Sequence, residues 1–194
     1  MRISLGLLIL TSLVAHVALA DDDWKEFKNV DGVRYEKRPK ARTKFFEYRA
    51  HFFLAMEPAK LADAIWSKLE TLRGKQVAER EVVRKSSDEL VLHDYIKTPV
   101  VSDRELTLQF LKKAGPPLAI RYHARNDLGP PPKPGRVLLP VVQGGWQIEP
   151  GEGGSQVVYD CYSEPGGSVP AFMVRGAQQD QIFEDVKRLR ALLK

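Results

Sequence analysis

Few side chains in this sequence are able to do chemistry. His51, His93 and His123 each fall in an alternating, strand-like stretch, and none has a second ligand at metal-binding spacing. They read as packed or surface polar residues. Cys161 sits in Val157-Val-Tyr-Asp-Cys-Tyr162, where a period of two puts Val157, Tyr159 and Cys161 on one face. A nucleophilic thiol needs a nearby base, none adjoins it in sequence, and a small buried thiol is the plainer reading. No H-E-x-x-H or G-x-S-x-G motif occurs. Gly151-Glu-Gly-Gly154 lacks the Lys-Ser/Thr of a phosphate loop and reads as a hairpin turn. Arg104 follows Asp103 into a strand and has two readings. One is an ion pair at the strand edge, the other a cationic anchor for a polar group inside a cavity. No catalytic residue, cofactor or metal site is assigned.

The composition bounds what these residues can serve. The chain has 194 residues, 43% hydrophobic and 28% charged, with a mean hydropathy of -0.30. That is a globular composition, neither disordered nor polytopic in a membrane. One cysteine excludes a disulfide framework. Residues 1–20 differ from the rest: Met1-Arg2 precedes an apolar run from Leu5 to Val17, Ala18-Leu19-Ala20 is a small-x-small cleavage pattern, and three aspartates follow. We read a signal peptide cut after Ala20, with an uncleaved anchor as the other reading, and hence a periplasmic or secreted protein. Basic residues exceed acidic ones, 30 to 25, with a cluster at Lys37, Arg38, Lys40, Arg42 and Lys44. In an exported chain this mild excess points away from nucleic acid. It reads as a solvated loop or as a transient contact with an anionic membrane surface.

The elements that must position these residues are mostly strands. Gly32–Arg38 and Lys44–Leu54 read as two strands. A helix of about four turns starts at Pro58 and carries Leu61, Ala64, Ile65, Leu69 and Leu72 up to Gly74. Six strand-like stretches follow, at 77–85, 89–97, 104–113, 118–127, 136–149 and 156–163. Pro170 opens a second helix with an apolar stripe through Val174, Ile182, Phe183, Val186, Leu189 and Leu193. The order predicts an α+β antiparallel meander curled around the last helix.

Several of these segments resemble the START domain, the lipid-transfer domain of the steroidogenic acute regulatory type, in a bacterial secreted form. Trp24 followed by Asp31-Gly-Val-Arg-Tyr is similar to its opening. Thr98-Pro-Val-Val-Ser-Asp-Arg-Glu105 is similar to its strand entry, with Glu105 where Asp is common. Gly145-Trp-Gln-Ile-Glu-Pro150 and Glu164-Pro-Gly-Gly-Ser-Val-Pro170 resemble its later strand and its lead into the last helix. The resemblance covers residues 21–194 as one domain. It implies a helix-grip fold, a curved antiparallel sheet wrapped around a long C-terminal helix, with a tunnel holding one hydrophobic molecule.

On that basis the expected function is binding and transfer of a lipid-like ligand by a monomer. The candidate cavity residues are Tyr95, Arg104, Phe110, His123, Tyr159, Cys161, Phe172, Gln179 and Phe183. Two other classes stay open. An enzyme of the same superfamily, a cyclase or hydrolase, would pair His123 or His93 with a carboxylate inside the pocket. A ligand-free interaction module would fill its cavity with side chains and expose an apolar patch.

Overall fold

The computed structural model describes residues 23–98 and 101–193; the expected signal peptide and Pro99 of the strand-entry motif lie outside them. The chain opens with a hairpin, β1 (Lys25–Val30) and β2 (Val33–Pro39). Both turn residues, Asp31 and Gly32, have positive φ, 53° and 70°. Asp-Gly suits that geometry because Gly has no Cβ to clash and Asp tolerates the left-handed region. β1 was absent from the sequence reading. It is an edge strand, exposed except at Phe27, so its hydrophobic alternation is faint.

β3 (Phe46–Leu54) leads into α1 (Pro58–Lys68). The Glu57 side chain accepts from Ala59 N, and Pro58 stands where no helical N–H is needed. α1 is shorter than the expected run to Gly74, and its end has a cause. The chain turns at Leu69–Leu72, and Arg80 Nη1 donates to the carbonyls of Leu69 (2.9 Å) and Leu72 (3.1 Å). A guanidinium thus satisfies carbonyls that the helix end leaves open.

The remaining strands are β4 (Val77–Lys85), β5 (Glu89–Ile96), β6 (Arg104–Lys113), β7 (Leu118–Ala124), β8 (Val137–Leu138), β9 (Val141–Gly151) and β10 (Gly154–Glu164). The expected strand 136–149 is two strands, because Pro140 interrupts it and β8 turns aside to pair parallel with β6. The expected 118–127 stops at Ala124 and passes into a 3-10 turn, Asn126–Leu128. The main sheet has the order β1-β2-β3-β10-β9-β7-β6-β5-β4, every neighbouring pair antiparallel.

α2 (Ala171–Leu192) completes the chain, burying Val174, Gln178, Ile182, Val186 and Leu189. This spacing of three and four makes one stripe along a helix. α1 packs over β7, β9 and β10, and α2 over β3 and β10. The core joins Leu61 and Ile65 of α1 to Phe52, Ile120, Ile148 and Val157 of the sheet, and to Ile182 and Leu189 of α2. The architecture is a curved antiparallel sheet holding a long C-terminal helix.

Candidate functional site

The sheet and α2 do not close on each other completely. Between them lies a pocket of about 480 Å³, within the range of small-molecule sites. Its floor is a row of aromatic rings on four successive strands: Phe110 on β6, Tyr122 on β7, Trp146 on β9 and Tyr159 on β10. Their ring centroids are 5.4, 6.0 and 5.1 Å apart in turn, the last pair stacked. Gly144 makes this row possible. A Cβ there would stand 2.6 Å from Tyr122 Oη and 2.2 Å from the Asp160 carbonyl.

Three sets of polar groups line the pocket, and Arg104, in the same wall, stands apart from them. Arg80 grips Asp94 with two parallel bonds of 2.6 Å, both side chains being buried. Tyr159 donates to Asp185 Oδ2 at 2.9 Å and lies 3.1 Å from the Tyr122 hydroxyl. Gln181 and Arg188 donate to the other Asp185 oxygen. Burial pushes the Asp185 carboxyl above its ordinary range, against the pull of the Tyr159 bond and Arg188. Third, Gln178 donates to the Ser163 carbonyl at 2.6 Å while its Oε1, buried, has no partner among the described residues. Burial, then the nearby Asp185, pushes the Cys161 thiol well up. Such a thiol stays protonated and unreactive.

Known proteins can now be set beside this geometry. No family model matches the chain. A Pseudomonas aeruginosa protein described as uncharacterized is 26% identical over 200 residues, covering 96% of each chain. The STAR-related lipid transfer protein from Xanthomonas axonopodis superposes with a TM-score of 0.78, covering 89% of this chain and all of that one at 23% identity. Human STARD10 does so at 0.69, covering 89% of this chain and 74% of its own, at 17% identity. The chain has the START-domain fold.

Within the START fold, four of the nine residues named from sequence line the pocket: Arg104, Phe110, Tyr159 and Cys161. The other five do not, and each misses by phase. Tyr95 lies between Asp94 and Ile96, which do line it, so its ring points to the opposite face. There it bonds Asp103 Oδ2 and stacks under Arg136. His123 follows Tyr122 and faces outward for the same reason. Gln179 is one residue past Gln178, about 100° round the helix. Phe183 stands two residues past the lining Gln181, about 200° round the helix, and packs edge-on against Tyr35, 4.6 Å between centroids. Phe172 is 73% exposed at the start of α2.

Sequence reasoning missed Arg80, Asp94, Tyr122, Gln178 and Asp185, which also line this pocket. A signal existed in α2, where Gln178, Gln181 and Asp185 recur at helical spacing. The sequence reading took its polar candidate on that helix at Gln179, one position past this stripe. His93 faces away as well, its Nδ1 2.9 Å from Thr107 Oγ1. Neither His93 nor His123 therefore supplies the acid–base pair that the enzyme reading required of the pocket.

Proposed function

We propose that this protein binds a hydrophobic, lipid-like molecule in the pocket between sheet and helix and transfers it between membranes or partners. The observation that carries this reading is the pocket itself. It offers about 480 Å³ bounded by Leu106, Leu108, Phe110, Trp146 and Val174, and the polar pairs Arg80–Asp94 and Tyr159–Asp185 in its wall are engaged with each other. Apolar surface removed from water contributes about 25 cal/mol per Å², enough for such walls to hold an apolar ligand. A ligand-free interaction module would have filled this space. The likeness to the Xanthomonas STAR-related lipid transfer protein supports the same reading.

We place the protein in the periplasm or outside the cell, on the strength of residues 1–20 as a cleaved signal. Membrane contact would occur at the end of the sheet that carries the start of α2. The β2–β3 turn, 40–45, stands at that end, since Tyr48 of β3 pairs with Cys161 near the end of β10. Exposed Phe172 and Met173, with Arg42, Lys44 and Arg175 nearby in the fold, would meet an anionic surface. Arg38 and Lys40 are less free for this, both being bound to Glu47.

The test is uptake of a fluorescent lipid, with Trp146 as the internal reporter. Binding should quench Trp146 and place the probe within energy-transfer range of it. Ala177→Trp, which puts an indole into the pocket wall, should abolish uptake while the circular dichroism stays that of the folded protein. Equal uptake by the filled variant would reject the pocket as the site.

A further inference from the structure

The pocket wall carries a charge, Arg104, for which no ion pair is found among the described residues. Arg104 opens β6 opposite Ile96 of β5, and both line the pocket, so the two side chains share the concave face. Arg104 is 5% exposed. Its side chain's one hydrogen bond among the described residues runs from Nη1 to the Ser102 carbonyl, two residues back. A guanidinium stays charged throughout the pH range of a folded protein and has five N–H donors. Burying a charge without a partner is costly, and buried charges are accordingly found paired.

Among the described residues, the carboxylates beside it in sequence and in the pocket wall are bonded elsewhere. Asp103 and Glu105, its neighbours in sequence, are engaged elsewhere. Asp103 accepts from Tyr95 and Thr98, and Glu105 accepts from Arg136 and Lys133 N. The acids of the pocket wall are also spoken for: both Asp94 oxygens are held by Arg80, and both Asp185 oxygens are bonded. The ion pair at the strand edge, one of the two readings of Arg104 from sequence, is absent among the described residues.

We propose that Arg104 binds the head of an anionic amphiphile, a carboxylate or a phosphate ester, whose apolar body lies along the Phe110–Tyr122–Trp146–Tyr159 floor. This rests on the reading of the pocket as a lipid site and narrows the class of lipid. The planar guanidinium matches two oxygens of either acid at once, which a lysine would not. The head group supplies the missing counter-charge, and the aromatic floor takes the chain.

The experiment uses the delipidated full protein and three probes of equal chain length: dodecanoate, dodecyl phosphate and dodecanol. Each is titrated into wild type, Arg104→Met and Arg104→Gln, the last keeping a donor for the Ser102 carbonyl should the Met variant fail to fold. At least one acid should bind wild type about tenfold or more tighter than dodecanol, the scale of a charge-assisted bond. The two acids together tell a carboxylate site from a phosphate site. In the variants the preference should vanish while dodecanol binds as before. Wild type binding dodecanol as tightly as both acids, or a variant keeping the preference, overturns the anchor and leaves the lipid site standing. Failure of all three probes, together with failure of the fluorescent lipid, overturns both.

Discussion

Tyr159 donates its hydroxyl proton to Asp185 Oδ2 across 2.9 Å, and this bond sets the direction of the next one. With that proton committed, Tyr122 is the donor in the 3.1 Å bond between the two hydroxyls. The chain therefore runs from Tyr122 through Tyr159 to Asp185, leaving the Tyr122 oxygen as an acceptor beside the pocket. Linked bonds of this kind reinforce one another. Tyr159→Phe removes the middle of the chain and should cost about 1–3 kcal/mol, because Asp185 and Tyr122 both lose a partner. Tyr122→Phe removes only its end and should cost about 1 kcal/mol. Urea unfolding midpoints of the two variants check the order; equal losses would mean the chain is not directional.

Two carboxyls should give opposite pH dependences. Asp185 is pushed above its ordinary value near 3.8, burial outweighing Tyr159, Arg188 and Gln181. As pH rises through that window the unfolded chain loses its proton first, so stability falls. Asp185→Asn should remove the fall. Glu36 is held below its ordinary 4.5: burial raises it, but the bonds from Arg49 and His51 outweigh burial. Its contribution is complete above 4.5 and is lost as pH drops through its depressed value, so Glu36→Gln should be less acid-sensitive. Unfolding free energies measured from pH 3 to 7 on both variants decide the signs.

Arg80 and Asp94 form a buried pair that also holds the turn after α1. Asp94→Ala leaves the guanidinium uncompensated and should cost about 3–5 kcal/mol. The double variant Arg80→Met/Asp94→Leu should cost clearly less than the sum of the single changes. A double-mutant cycle measures this, and strict additivity would show that the pair has no coupling.

Gly144 faces a backbone carbonyl and a tyrosine hydroxyl at distances no Cβ tolerates. Gly144→Ala should destabilise by about 1–3 kcal/mol or more, as overpacking does. Adding Tyr122→Phe relieves the hydroxyl contact only, and the Asp160 carbonyl at 2.2 Å keeps most of the penalty. A double variant as stable as Tyr122→Phe alone would contradict this.

The order of elements was legible in the chain because strands and helices announce themselves through period and punctuation. Pro58 and Pro170 mark both helix starts, and most strand spans were read to within a few residues. The site was less legible because it depends on phase. Asp94 and Tyr95, or Gln178 and Gln179, differ by one position, and one position turns a side chain from the pocket to the far face. Arg104 and Phe110 share a face because β6 runs unbroken from one to the other, an even number of residues apart. β1 hid behind its charge, although Asp31-Gly32 was the signal that could have found it. The end of α1 depends on Arg80, eleven residues beyond Leu69, which no local window sees.

The most direct measurement is native mass spectrometry of the protein purified without detergent and then exposed to a total lipid extract. The account predicts a one-to-one complex carrying the mass of a single lipid, and its loss in Ala177→Trp. A folded wild-type protein that stays at its bare mass after exposure would contradict it.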